Sequence, residues 1–95
     1  MKYHFYAMLE KEDNYYNVTF PDLPGAITYG NNMNEAVEMA TDVLGGHLLV
    51  MEDDEEVIPK PSDYIDLSCE IDKHQQLQLI VADTQIVRDK EDLNI

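Results

Sequence analysis

The sequence predicts an α+β domain with the element order β-β-β-α-β. Two runs near the N-terminus alternate apolar and polar residues with the period of half-buried β-strands. A long segment, residues 33–51, repeats apolar residues at spacings of three and four, which is typical of an amphipathic α-helix. A further alternating run follows late in the chain. We therefore expect a three-stranded antiparallel meander, one long helix packed on the sheet, and a fourth strand.

The first two strands are predicted at residues 3–9 and 15–20, joined as an antiparallel hairpin with a loop of four or five residues. A segment with two prolines and a glycine, residues 21–25, then breaks the sheet, because proline lacks the N–H that a strand ladder needs. A third short strand is predicted at residues 26–29. The alternation places Tyr3, Phe5, Ala7 and Leu9 on one face of the first strand. It places Tyr16, Val18 and Phe20 on one face of the second.

The long helix has a recognisable start. Asn32 is the predicted N-cap, and Glu35 stands three residues later, close to a capping box. Gly45 and Gly46 interrupt the helical pattern, so either the helix kinks there or the glycines allow close approach of a neighbour. His47 lies on the apolar side and is interpreted as a half-buried histidine. The apolar stripe consists of Met33, Ala36, Val37, Ala40, Val43, Leu44, Leu48 and Met51.

Five consecutive acidic residues, 52–56, follow this helix. Negative charge at a helix C-terminus opposes the helix dipole, so the run is either a solvated turn or a functional surface. Residues 57–62 form an extended, proline-containing connector, and residues 63–70 fit a short helical turn or an edge segment. The tail after the last strand is consistent with a short strand, a helix or a frayed end.

The fourth strand is predicted at residues 75–81. Its residues Leu77, Leu79 and Val81 alternate with Gln76, Gln78 and Ile80. This alternation assigns the three odd-numbered residues to the core face. Ile80 is assigned to the outer face, so the strand is expected to be covered on both sides late in its course.

Length and net charge limit the classes of protein to which this chain can belong. The 95 residues predict one domain, at residues 1–82, followed by a tail at 83–95. Twenty acidic residues against six basic ones give a net charge of −14. Such a chain repels nucleic acid and anionic membranes and attracts basic partners. The sequence contains no apolar run long enough for a membrane span and no secretory signal, so we expect a cytoplasmic location.

Residues that carry chemistry are sparse. The single cysteine, Cys69, excludes an internal disulfide, favours a reducing compartment and is interpreted as a small packed hydrophobe. His4, His47 and His74 lack the spacing of zinc ligands, and the acidic run lacks the pattern of a calcium loop. The serines and glycines match no nucleophile or phosphate-binding motif. We expect no metal, no other cofactor and no catalytic residue.

The stretch FPDLPGAITYG followed by NNMNEAVEMA resembles the HicB antitoxin family. The matching positions are Phe20, Pro21, Asp22, Leu23, Pro24, Gly25, Gly30, Asn32, Glu35, Ala36, Ala40 and Leu44, and later Ile58, Pro59, Pro61 and Ser62. The resemblance covers residues 1 to about 82. It implies a partial RNase H-like fold and an antitoxin of a bacterial type II toxin–antitoxin pair. The usual partner in that family is HicA, a small basic toxin that cleaves mRNA with a histidine and that HicB domains cover.

The resemblance also defines what to expect of this chain. Full-length family members usually carry a C-terminal DNA-binding domain, whereas this sequence ends at Ile95 without a basic patch. We therefore expect no direct nucleic-acid binding by this chain alone. Complementary charge favours a basic toxin as partner. The predicted partner-binding residues are Asp22, Asp53, Asp54, Glu55 and Glu56.

Two alternative functions stay open. One is the remnant of a metal-dependent nuclease of RNase H-like fold, depending on Glu10 or Asp22, although residues 3–9 contain no carboxylate to bind the metal ions. The other is a stand-alone oligomeric scaffold without a toxin. A homodimer or higher oligomer is expected in any case, because an exposed hairpin or fourth strand offers an edge for pairing.

Overall fold

The computed structural model of the protein describes the backbone of residues 1–93. Its elements in chain order are β1 (Lys2–Lys11), β2 (Tyr16–Thr19), β3 (Ile27–Gly30), α1 (Met33–Asp53), α2 (Tyr64–Ser68), β4 (Gln75–Asp83) and α3 (Thr84–Leu93). The predicted order β-β-β-α-β is confirmed. Residues 63–70 contain a short helix, and the tail forms a helix as far as it is described.

The four strands form one antiparallel sheet in the order β3-β2-β1-β4. β1 is central: Leu9 pairs with Val18 of β2 on one side, and Phe5 pairs with Ile80 of β4 on the other. β1 is longer than predicted at both ends, because β4 supplies hydrogen-bonding partners along almost its whole length. The charged residues at the two ends of β1 are thus held in the ladder by their partner strand.

The core lies between one face of the sheet and α1. The inward side chains of β1 pack against the helix stripe, and burial of each large aliphatic or aromatic side chain contributes roughly 1.5–3 kcal/mol. The faces that carry Phe5 and Val18 in the hairpin are the ones turned to the core, with Tyr3 and Tyr16 only partly buried at its margins. The fully packed members are Phe5, Ala7, Leu9, Val18, Phe20, Leu23, Ala26, Ala36, Ala40, Leu44, Leu48, Ile80 and Ala82.

The start of α1 is capped as predicted. The Asn32 side chain accepts a hydrogen bond from the Glu35 backbone N–H at 2.9 Å. The Glu35 carboxylate in turn accepts from the backbone N–H of Asn31 at 3.3 Å, one residue before the cap. Gly30 ends β3 directly beneath this turn, where an added Cβ would lie 2.3 Å from the Ala36 nitrogen. The sheet and the helix therefore meet at a point where only glycine fits.

The two glycines inside α1 have different surroundings. The helix is continuous through both of them. A Cβ added at Gly45 would lie 2.9 Å from Cγ2 of Val87 in α3, whereas one added at Gly46 would meet open space. Close approach of a neighbour, one of the two alternatives predicted, is therefore the role of Gly45.

The prediction for the faces of β4 is wrong. Ile80 and Ala82 are buried against α1, whereas Leu79 and Val81 are 43% and 45% exposed on the outer face. The pairing with β1 decides this, because Ile80 lies opposite the core residue Phe5. Side chains at consecutive strand positions point to opposite faces, so the apolar residues at 79, 80 and 81 fit either assignment until the register is known.

The interpretation of Cys69 is also wrong. Its side chain is exposed, at the C-cap of the five-residue α2. This helix is too short to bury more than one side chain, and Leu67 is the one that faces the sheet. α1 also runs two residues beyond its predicted end, so that Asp53 is its last residue.

Candidate protein-binding surface

We call residues 52–56 the acidic segment. α1 ends within it in a Schellman motif: the backbone N–H of Glu56 donates to the Met51 carbonyl at 2.9 Å, and that of Glu55 donates to the Glu52 carbonyl at 3.1 Å. Glu55 has a φ of +55°, in the left-handed region that this motif reserves mostly for glycine. The backbone at the tip of the segment is therefore held in a conformation that costs about 1–2 kcal/mol for a residue with a Cβ.

Charge at this end of α1 is also unfavourable. The last turn of the helix contains no basic residue, and the side chains of residues 53–56 are all exposed. The partial negative charge of the helix C-terminus has the same sign as these carboxylates. The neighbouring Val57 is 90% exposed. The result is a protruding anionic surface with an apolar side chain beside it.

Glu52 differs from the other four acids because its side chain points back into the domain. Its Oε2 accepts from the Tyr3 hydroxyl at 2.7 Å and lies 3.0 Å from the Thr84 hydroxyl, and its Oε1 accepts from Arg88 at 3.2 Å. The hydrogen bond from Tyr3 lowers the pKa of Glu52, and the same contact raises the pKa of Tyr3. Glu52 thus ties β1, α1 and α3 together.

Asp53 is partly engaged within the chain. Its Oδ1 accepts from the Arg88 guanidinium at 2.7 Å, and this contact raises the pKa of Arg88. Asp54, Glu55 and Glu56, by contrast, make no side-chain hydrogen bond or ion pair to another described residue. Within the predicted set, these three carboxylates are the ones whose charge faces solvent without a basic partner among the described side chains.

Asp22 has a structural contact of its own. Its Oδ2 accepts from the Ser62 backbone N–H at 2.8 Å, and its Oδ1 accepts from the Ser62 hydroxyl at 2.6 Å. These two bonds fasten the turn after β2 to the extended connector. Both carboxylate oxygens of Asp22 therefore accept hydrogen bonds from the connector. Asp22 thus lies with the connector and apart from the acidic segment.

The predicted partner-binding residues include none on the outer face of the sheet, the face turned away from α1. The rings of Tyr15 and Tyr29 lie 6.1 Å apart, edge to face, and are 39% and 57% exposed. Beside them is a shallow cleft of about 380 Å³ that Asn14, Asn17 and Asn31 also line. Exposed aromatic rings next to amide groups are well suited to contact a protein.

Metal ligands are not grouped in the described part of the chain: no cluster of three or more His, Cys, Asp or Glu side chains is placed to hold an ion. Glu10 lies within β1, and its carboxylate accepts from the Gln75 amide at 3.3 Å. Among residues 1–93, no helix combines the length and the apolar character that crossing a membrane requires.

The fold and these surfaces define a class, a small α+β domain that presents an acidic helix end and an exposed aromatic pair. The sequence matches the model of the HicB-like antitoxins of bacterial toxin–antitoxin systems over residues 5–95. The chain therefore belongs to the HicB-like antitoxin family. The predicted family resemblance is confirmed.

A curated relative agrees with this assignment. Antitoxin HicB 1 of Photorhabdus laumondii is 42% identical over 60 residues. The alignment covers 59% of this chain but only 39% of that protein. The relative is thus similar over less than half of its own length.

Solved structures establish the fold independently. The chain is similar to one in a toxin–antitoxin complex from Streptococcus pneumoniae, with a TM-score of 0.80 at 21% identity, covering 92% of this chain and 73% of that one. A chain of the HicA3 and HicB3 toxin–antitoxin complex gives a TM-score of 0.68 at 20% identity, covering 85% and 99%. The antitoxin HicB of Burkholderia pseudomallei also gives 0.68 at 20% identity, covering 82% and 61%.

Proposed function

We propose that this chain neutralises a small basic toxin of the HicA type by covering its surface, including its catalytic histidine. The observation that carries the proposal is the acidic segment, where three exposed carboxylates without a basic partner among the described side chains surround a strained helix end. Features that lower stability locally are often explained by contacts made with a partner. We place the encounter in the cytoplasm.

Charge accounts for the rate of this encounter. A chain of net charge −14 attracts a basic protein over a distance of about one Debye length, roughly 8 Å at physiological ionic strength. The acidic segment concentrates that field at one end of α1. Steering of this kind raises association rates by roughly 10–1000-fold.

Apolar contacts account for the affinity. Rim charges usually contribute little to affinity, whereas aromatic anchors in desolvated positions contribute much more. Val57 lies directly after the acidic segment, and Tyr15 and Tyr29 offer a second anchor on the sheet. In this proposal the carboxylates guide the toxin and exposed apolar side chains hold it.

The test measures association of this chain with a small basic toxin of the HicA type. The variant Asp54→Ser, Glu55→Ser, Glu56→Ser removes the three carboxylates that have no basic partner among the described side chains. It spares Asp53, which accepts a hydrogen bond from Arg88. The expected result is a fall in the association rate constant of about tenfold or more at low salt. The loss should shrink as salt is added, and co-expression should show weaker rescue of growth.

The matched control removes three other exposed carboxylates, with Asp13→Ser, Glu38→Ser and Glu70→Ser. Its net charge equals that of the test variant, so a purely global effect of charge would slow both variants alike. Equal rates for the two variants, or an unchanged rate for the test variant, would show that the acidic segment is not the binding surface. Failure of the unmodified chain to bind the toxin would reject the proposed function itself.

Asp22 requires a separate experiment because of its contacts with Ser62. Asp22→Ala removes two hydrogen bonds within the chain and is expected to lower stability by about 1–3 kcal/mol. Ser62→Ala removes one of them and leaves the carboxylate in place. If Asp22 contacts the toxin, Asp22→Ala should weaken toxin binding much more than Ser62→Ala does. The comparison is made with both variants folded.

We advance no nuclease function. The two carboxylates which that alternative depends on, Glu10 and Asp22, accept hydrogen bonds from Gln75 and Ser62 of this chain. Their contacts hold β4 and the connector in place.

A further inference from the structure

A cavity of about 190 Å³ lies at the end of the sheet where β1 ends and β4 begins. Leu9 and Lys11 of β1 line it, and their cross-strand partners Gln76 and Tyr16 line it as well. Side chains alternate between the two faces along a strand, so Lys11 shares the α1 face of the sheet with the core residue Leu9. Met33, the first residue of α1, also lines the cavity. The cavity therefore lies on the helix side of the sheet, at the start of α1.

The lining is basic although the chain is strongly acidic. The chain has six lysine and arginine residues against twenty acids, yet two of the six, Lys11 and Lys73, line this cavity together with His74. Of the acids that the structure describes, none lines it. The Lys11 backbone N–H donates to the His74 carbonyl at 3.2 Å, which holds the end of β1 against the loop that contains Lys73. Three basic side chains from two segments are thus brought to one cavity.

Both lysines of this cavity are available to a ligand. In the described part of the chain, neither ammonium group forms an ion pair. The acids next to them in the sequence make other contacts: Glu12 accepts from the Asn17 amide at 3.3 Å, and Asp72 accepts from the His74 backbone N–H at 2.8 Å. The two lysines therefore carry charge that no described carboxylate pairs with directly.

The charge of the lining matches a phosphate group. A phosphate monoester carries about −1.5 to −2 charges at pH 7 and presents three acceptor oxygens. Two ammonium groups balance that charge, whereas a carboxylate would balance only one of them. Lysine suits this role because its ammonium is a compact point charge with three donors. The Tyr16 hydroxyl and the Gln76 amide are further donors in the lining.

Part of the lining is apolar. Leu9 is fully buried, and Met33 and the Tyr16 ring are half-buried. The cavity is smaller than the roughly 300–1,000 Å³ of sites that enclose drug-sized ligands. A ligand that fills it is thus small and combines an anionic group with a compact apolar group.

We propose that this cavity binds a small organic phosphate. Its phosphate group lies between Lys11 and Lys73, and its apolar group lies against Leu9 and Met33. At physiological ionic strength charges interact over roughly 8 Å, so the basic side chains of the lining act on the phosphate more strongly than the distant carboxylates do. The site is separate from the acidic segment, which lies roughly 30 Å away at the other end of the 21-residue α1.

The surrounding charge favours a free small molecule over a nucleic acid. An adjoining shallow cleft shares Lys11 and His74 with the cavity, but Glu12 and Asp13 also line it. A single phosphate group fits inside the cavity, whereas a nucleic acid would place further phosphates against these two carboxylates. Like charges at such short range repel, so a polyanion is disfavoured at this site.

The first experiment titrates phenyl phosphate into the full chain at constant ionic strength while backbone amide resonances are followed by NMR. We expect saturable shifts at Lys11 and at residues 73–76. The double variant Lys11→Gln, Lys73→Gln is expected to bind at least about tenfold more weakly, because it loses two charge-assisted hydrogen bonds. Both side chains are exposed, so the fold should be retained.

The matched control is the double variant Lys2→Gln, Lys60→Gln, which removes two exposed lysines that do not line the cavity. Its net charge equals that of the test variant, and it is expected to bind like the unmodified chain. An equal loss of affinity in both double variants would show that binding follows net charge alone. That result, or the absence of saturable shifts in the unmodified chain, would overturn the proposal.

The second experiment compares anions. Inorganic phosphate carries the charge without an apolar group, and benzoate carries the ring with a single charge. Phenyl phosphate is expected to bind about tenfold more tightly than either of them. Benzoate binding as tightly as phenyl phosphate would reject a phosphate site, and inorganic phosphate binding as tightly would reject the apolar contact.

A single-stranded oligonucleotide is the last ligand to compare. It is expected to bind more weakly than phenyl phosphate, and tighter binding would identify a nucleic acid as the ligand and reject a small molecule. None of these readouts involves the toxin, so the proposal stands or falls separately from the proposed function.

Discussion

Glu52 and its neighbours look alike in the sequence as five consecutive acids. The structure separates them, because Glu52 alone reaches back to Tyr3 and Thr84. These contacts join residues far apart in the chain, and neither a helical nor a strand period contains that information. The same holds for Asp22, whose partner Ser62 lies beyond the long helix. Residue types and spacing located the acidic segment, but only the fold shows which of its side chains have hydrogen-bonding partners within the chain.

Replacement of Glu52 is predicted to destabilise the fold. Glu52→Gln weakens charge-assisted hydrogen bonds from Tyr3 and Arg88, and we expect a loss of about 1–3 kcal/mol in the free energy of unfolding at pH 7. The pKa of Glu52 is lowered in the folded state, so its contribution is present above its ordinary pKa of 4.5 and is lost as pH falls through the folded value. Below about pH 5, the free energy of unfolding measured with urea should therefore fall more steeply for the unmodified chain than for the variant.

The control for this prediction is Asp54→Asn, which removes a nearby carboxylate with an exposed side chain. It should lower the free energy of unfolding much less than Glu52→Gln does, because the Asp54 side chain makes no hydrogen bond to another described residue. Parallel pH profiles for the unmodified chain and Glu52→Gln would contradict the assigned role. At the alkaline end, the raised pKa of Tyr3 means that its contribution is lost as pH rises through a value above 10.0.

At the scale of elements, periodicity predicted the hairpin and α1 well, because each has one apolar face and clear end signals. It failed for β4, where Leu79, Ile80 and Val81 fit either face until the pairing with β1 is known. Periodicity did not assign α3, because this helix has few apolar residues. Its position depends on contacts with α1, at Gly45 and between Arg88 and Glu52. Those two elements depend on tertiary context more than on local pattern.

The strained end of α1 gives a prediction at this scale. Glu55→Gly removes a side chain from a residue with positive φ and also removes a negative charge from the helix C-terminus. We expect the free energy of unfolding to rise by about 1–2 kcal/mol. Urea unfolding with Glu56→Gly as control separates the two effects, because Glu56 loses the same charge without a positive φ. An equal rise in the free energy of unfolding for both variants would show that the charge, and not the positive φ, destabilises this end of the helix.

The whole molecule is a thin plate, 43 × 28 × 17 Å, with a net charge of −14. At about 0.01 M salt the Debye length is roughly 30 Å, so carboxylates on opposite faces still repel one another. At about 0.15 M it falls to roughly 8 Å, and only near neighbours interact. The net charge can be calculated from the sequence, whereas the thinness that brings the carboxylates on opposite faces close together is a property of the fold.

Salt is therefore predicted to stabilise this protein. Between about 0.01 M and 0.15 M NaCl we expect the thermal unfolding midpoint to rise by about 4–8 °C, equivalent to roughly 1 kcal/mol for a domain of this size. The Ser variant at positions 54–56 should show a smaller rise, because it begins with less repulsion. A midpoint that does not change with salt would mean that the carboxylates are too well solvated to oppose folding.

The central position of β1 determines when the fold can close during synthesis. Lys2 pairs with Asp83, so β1 leaves the ribosome well before β4 and must wait for it before both edges of β1 are covered. At about 5–20 residues per second, that wait is roughly 4–14 s. Until β4 emerges, Phe5 and Leu9 lack part of their cover, and a chain interrupted before that point exposes them to any other strand nearby. Completion of the sheet thus comes after the synthesis of β4, and each newly made copy depends on β4 to protect β1.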